Sequence, residues 1–283
     1  MKRRPLAAFF ALTLIVSWGI WFTMAAGAKG WIHLPASARN WQTLGAFGPG
    51  ICALVVIGVL DGTNGIRRLF ERLLIWRVGM IWYAVAFLLP TVISLLATAL
   101  HMMFGGDAPD FANPPIYQAV LPGIYAEYNG WTILVPVFLQ HLVLGSALAE
   151  ELGWRGFALP RLQQGRSALA ASVMMGLVWS LWAAPLYWML GWIQLDERAF
   201  VLLGIIPGQI LSTWIFNNTR GSLLLIVLFN NSSKVTDLFL TAAPAHPLIT
   251  VSSYALVAAG VVILAGPERL SIGPLDEKCR GQD

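Results

Sequence analysis

An all-α, polytopic integral membrane bundle of about eight transmembrane helices is the fold class this sequence predicts, and three features predict it. Of its 283 residues, 57% are hydrophobic and only 11% are charged, against roughly 25% charged in soluble domains. Apolar runs long enough to cross a bilayer, about 20 residues each, recur from end to end. The basic residues cluster in alternate loops, as the orientation of membrane helices requires. No soluble domain, low-complexity tract or internal repeat interrupts the pattern, so residues 1–283 read as a single transmembrane domain. In such a chain the net charge of +4 reports topology, and no nucleic-acid partner is expected.

The runs justify the helices in order. Met1-Lys2-Arg3-Arg4 precedes the first, at 6–27. A cleaved leader is the rival reading, because Ala26-Gly27-Ala28 resembles a cleavage site, but leader cores are about 7–15 residues and a retained helix is favoured. The second run, 43–60, is short and holds Pro49; the third spans 79–104. The stretch from Gly105 to Gly130 has no Lys or Arg and reads as an external loop, with an interfacial segment expected around Ile116–Tyr125. A fourth run at 131–154 ends in an acidic motif. The fifth, 168–192, is rich in Trp and kinked by Pro185; the sixth, 199–216, is short and contains Pro207. Runs at 221–241 and 248–265 complete the set.

Charge sets the orientation. Lys2, Arg3, Arg4, Arg67, Arg68, Arg72, Arg77, Arg155, Arg161, Arg166, Arg220, Arg269, Lys278 and Arg280 all fall on one side. Lys29, Arg39 and Arg198 fall on the other, and Lys234 sits inside a span. The positive-inside rule then puts both termini in the cytoplasm, with the plasma (inner) membrane of a prokaryote as the expected location.

Chemistry concentrates in Ala149-Glu150-Glu151-Leu152-Gly153-Trp154-Arg155. Carboxylates in or beside hydrocarbon are expensive and mark functional sites by default. Glu151 precedes Arg155 by four, the favourable orientation for an intrahelical ion pair, which leaves Glu150 as the free acid. A solvated helix end is the plainer alternative. The chain is expected to leave the helix at Pro160. Trp179 and Trp182 share a helix face, as packing or lipid-facing aromatics. Asn230, Asn231, Lys234 and Asp237 lie within one span and are expected to face the bundle interior. His33, His101, His141 and His246 show no metal-ligand spacing, His141 points away from Glu150, and the distant Cys52 and Cys279 are expected as free thiols.

Taken together, Phe47-Gly48-Pro49-Gly50, Trp76-Arg77-Val78-Gly79, the acidic motif with Trp154-Arg155-Gly156 and Leu159-Pro160, the Trp179/Trp182/Pro185 helix and the Asn217/Thr219/Gly221-Ser222 turn resemble the CPBP family. That family comprises the CAAX prenyl endopeptidases and the bacteriocin-processing or immunity (Abi) proteins. The family-like core covers approximately 125–240. The resemblance implies that Glu150 activates a water molecule for attack on a peptide carbonyl, with Glu151 and Arg155 completing the motif. It also implies a His where this chain has Ala183, and a second His, followed four residues later by Asn, where it has Asn230 and Lys234. A divalent metal such as zinc is implied for the family, but its ligands are missing here, so no cofactor is assigned from the residues.

The expected function is that of a CAAX prenyl protease-like homologue that acts on or binds membrane-associated or prenylated peptides, with catalysis impaired. The expected partners are a hydrophobic or lipid-modified peptide or membrane protein, and the lipid bilayer. Three classes stay open: a protease with remodelled partners, a pseudoprotease scaffold or bacteriocin-immunity protein, and a transporter using the polar face of the 221–241 helix. For Lys234 two pairings stay open, with Glu150 across the bundle or with Asp237 on its own helix.

Overall fold

Long apolar runs without a competing turn signal become long helices. The computed structural model describes residues 4–35, 38–108, 110, 132–190, 202–240 and 247–273. The interfacial segment expected at Ile116–Tyr125, His246 and Cys279 lie outside the described residues. Among the described residues every regular element is helical, and six helices are long and apolar enough to cross a membrane.

Helix α1 (Pro5–Ala28) begins with Pro5 in its first turn, where a missing N–H is tolerated. α2 (Ala38–Ala46) leads into α3 (Gly48–Glu71), which is kinked at Gly62, whose φ of 64° only glycine adopts readily. A 3₁₀ turn at Arg72–Leu74 follows, then α4 (Met80–Met103). The expected continuous span at 131–154 is not continuous. It is divided into α5 (Leu134–Leu144), α6 (Ala147–Glu151), a π-helical stretch (Leu152–Ala158) and α7 (Leu159–Leu162). Pro160 does not end a helix; it occupies the first turn of α7, and the stretch around it is buried rather than a loop. Next come α8 (Ala168–Met189), α9 (Ile205–Asn218), α10 (Leu223–Leu240) and α11 (Pro247–Ala265). The run expected at 199–216 thus gives a helix of 14 residues, about 21 Å long and short of a full crossing.

Helices α4, α10 and α5 pack side by side, α8 lies on α9 and α1, and α11 covers α4 and α9. The short elements α6 and the π stretch are enclosed by α3 and α10. An aromatic cluster fills the centre: Trp182 packs tilted against Trp21 and edge-to-face against Trp154 and Trp179, at centroid distances of 5.1, 5.5 and 5.3 Å, and Phe9 meets Phe157 at 4.9 Å. Trp182 is therefore a core residue rather than a lipid-facing one. Cys52 is buried and free. Large apolar side chains left outside, such as Ile15, Val55, Leu88, Val143, Leu181 and Leu264, form the kind of surface that lipid, not water, covers.

The basic loops meet at one end. Arg220 donates to the carbonyl of Arg77, and Ser222 Oγ to that of Ile75 at 2.6 Å. Asn217 Nδ2 donates to the Arg269 carbonyl at 2.7 Å. Arg68, Arg72 and Arg161 line one small cleft with Asp61.

Candidate functional site

The acidic motif lies where the chain changes helix type. Gly153 has no room for a side chain, since a Cβ there would come within 2.5 Å of the Pro49 carbonyl oxygen. Gly50 is constrained in the same way, with the Ala149 carbonyl 2.6 Å from where its Cβ would be. The start of α3 therefore lies backbone to backbone against residues 149–153. This contact holds the two glutamates inside the bundle. Gly153→Val is expected to destabilise the protein by about 1–3 kcal/mol through overpacking, read as a lowered midpoint of thermal unfolding in detergent. An unchanged midpoint would mean that this contact does not hold the motif.

Glu150, Glu151 and Arg155 are 3%, 1% and 3% exposed, so the solvated helix end is excluded. The pairing suggested by sequence spacing is present: Arg155 Nη1 donates to Glu151 Oε1 at 3.0 Å and to Oε2 at 2.9 Å. Arg155 Nη2 donates to Gln209 Oε1 at 2.6 Å, tying α9 to the motif. Asn230 Nδ2, on α10, donates to Glu151 Oε1. Glu151 is thus a structural anchor, neutralised by one guanidinium and bonded by one amide.

Glu150 belongs to a second group. Lys234 Nζ reaches from α10 to Glu150 Oε1 at 2.7 Å and to Ser146 Oγ at 2.8 Å. Ser146 Oγ itself donates to Glu150 Oε1 at 2.6 Å. Of the two pairings open for Lys234, the structure has the one with Glu150. Glu150 Oε2 is buried with no hydrogen-bond partner among the described residues. Lys234 lies about 17 Å along α10 from its first residue, close to mid-helix, and its side chain is 32% exposed.

The other sequence-derived positions are less uniform. Asn231 is buried and donates to the Phe138 carbonyl at 3.0 Å. Asp237 shares the α10 face of Asn230 and Lys234, seven residues after the first and three after the second, and it is exposed. Ala183 is buried beside Trp182 and has no polar atom to offer. His141 Nδ1 is bonded to the Val137 carbonyl in its own helix, 3.1 Å away.

Two members were not foreseen from sequence. Ser146 stands four residues before Glu150, the spacing that puts both on one helical face. Gln209 is a lone amide in the apolar stretch Ile205–Leu211, and a buried amide demands a partner. Either signal was sufficient to nominate them. Among the described residues no three His, Cys, Asp or Glu side chains gather.

A family model described as Type II CAAX prenyl endopeptidase Rce1-like matches residues 130–230, a stretch that includes Ser146, Glu150, Glu151, Arg155, Gln209 and Asn230 but stops before Lys234. The chain is also 28% identical over 274 residues to CAAX prenyl protease 2 of Methanococcus maripaludis, an alignment that covers 90% of this chain and 92% of that relative.

Proposed function

We propose, from the premise that this chain belongs to the CPBP family of CAAX protease-like membrane proteins, that it binds membrane-associated or lipid-modified peptides at the Glu150 group without the metal-assisted hydrolysis its family implies. The observation that carries this reading is the Lys234 ammonium 2.7 Å from Glu150 Oε1. Metal-assisted hydrolysis needs the carboxylate open to a divalent ion that polarises the carbonyl and holds the oxyanion. Here one oxygen of Glu150 is taken up by an ammonium and a hydroxyl.

A divalent metal does not fit these residues. Its place next to Glu150 is held by a cation, and two like charges repel strongly in a low-dielectric interior. The Asn230 amide is directed to Glu151, and Ala183 supplies no donor. Zinc sites draw on Cys, His and carboxylate ligands, and among the described residues this site offers two glutamates, each already paired with a cation. Losing one oxyanion donor alone typically lowers rate by about 10²–10³. In this reading the end that bears Arg67–Arg77, Arg220 and Arg269 faces the cytoplasm of a prokaryotic cell, the exposed apolar belt meets the bilayer, and the bound chain enters from the membrane. A scaffold or immunity role is the biological form such binding would take.

The test uses purified protein in lipid nanodiscs and a fluorescent prenylated peptide. Saturable binding is expected, weakened by Glu150→Ala. Cleavage by the unaltered protein that zinc stimulates and a chelator abolishes would overturn the reading. The combined variant Ala183→His, Asn230→His and Lys234→Asn is expected to gain such zinc-dependent cleavage by at least about 100-fold, as the restored donors supply the missing electrophile.

A further inference from the structure

We propose that Ser146 is a nucleophile, activated by Glu150 and Lys234, and that this site forms an acyl-serine with the carbonyl of the bound chain. The proposal rests on the peptide-binding reading above and supplies it with a chemistry that needs no metal. Three facts carry it. Ser146 occupies the N-cap position of α6, yet its side chain caps nothing. A serine at that position ordinarily accepts a backbone N–H; this one is turned instead toward two charged groups. Its hydroxyl donates to Glu150 Oε1 at 2.6 Å, while Lys234 Nζ donates to the same hydroxyl oxygen at 2.8 Å. An acceptor carboxylate on the proton and an ammonium on the oxygen are what a hydroxyl needs to attack. Thirdly, Ser146 is half-buried and Lys234 is partly exposed, so a carbonyl can approach from outside the core.

The reaction balances without an added oxidant or metal. Ser146 Oγ forms a bond to the carbonyl carbon as its proton passes to Glu150. The carbonyl π pair moves onto oxygen, where a further N–H of the Lys234 ammonium can meet it. Collapse breaks the C–N or C–O bond, and Glu150 returns the proton to the leaving amine or alcohol. Water then enters, gives a proton to Glu150 and attacks the acyl carbon; Ser146 Oγ leaves and recovers that proton. Glu150 Oε2, buried and without a partner among the described residues, keeps a lone pair open for either transfer. The substrate class is an amide or ester carbonyl presented by a membrane-held chain.

A fluorescent fluorophosphonate, which bonds to a serine oxygen with loss of fluoride, tests this on the full chain in nanodiscs. Tandem mass spectrometry is expected to place the adduct on Ser146, and Ser146→Ala is expected to abolish it. Lys234→Met and Glu150→Gln are each expected to slow labelling by about 100-fold or more, the range of positioned acid–base groups. Absence of an adduct at Ser146 in unaltered protein that still binds the prenylated peptide would overturn the proposal and leave the binding reading standing. Labelling at an unchanged rate in both Lys234→Met and Glu150→Gln would overturn it as well, since neither group would then activate the serine.

Discussion

Replacing Arg155 with methionine is expected to destabilise the protein by about 3–5 kcal/mol, the largest effect of any single change at the site. The guanidinium is 3% exposed and contacts Glu151 and Gln209 with different nitrogens. Removing it leaves a buried carboxylate held, among the described residues, only by the Asn230 amide, and leaves the Gln209 side-chain carbonyl without its Arg155 donor. Each loss carries its own desolvation penalty. Arg155→Lys should recover part of the stability, because an ammonium restores the charge but is a point donor that cannot hold both acceptors as the planar fork does. Thermal unfolding in detergent followed by circular dichroism measures both variants. A methionine variant as stable as the parent would show that Glu151 carries no charge to be neutralised.

The Lys234 and Glu150 pair should behave differently, because the lysine is a third exposed while its partner is buried. Lys234→Met and Glu150→Gln are each expected to destabilise the fold. The double variant should lose less than the sum of the two, with a coupling of about 1–3 kcal/mol. Neutralising both members removes a costly pair of ions, whereas neutralising one leaves the other stranded. A coupling indistinguishable from zero would show that Lys234 is solvated by its surroundings, and the argument that it holds a metal's place beside Glu150 would fall with it.

These two expectations differ in how far they were legible in the sequence. The Glu151–Arg155 bond follows from four-residue spacing on one helical segment, a local geometry that even the π-helical stretch preserves. The partner of Lys234 did not follow, because Glu150 and Asp237 were both within reason and the choice depends on how α10 sits against α6. Ser146 shows the same division. Its spacing from Glu150 was visible, but whether its hydroxyl would cap α6 or turn inward depended on the ammonium arriving from another helix.

The apolar runs at 6–27, 79–104, 168–192, 221–241 and 248–265 by themselves determined α1, α4, α8, α10 and α11 to within a few residues. The reason is that a long hydrophobic segment in lipid has helix as its one way to satisfy every backbone group within itself. The break at Gly145–Ser146, the π-helical turn and the short α9 were decided by the tertiary structure. There the backbone of Pro49 presses on Gly153, Arg155 reaches Gln209 on α9, and the charge of Lys234 has to find a carboxylate across the bundle. Spacing along one helix records which residues share a face; which face of a neighbouring helix they meet is set by packing, and that packing joined Ser146, Glu150 and Lys234.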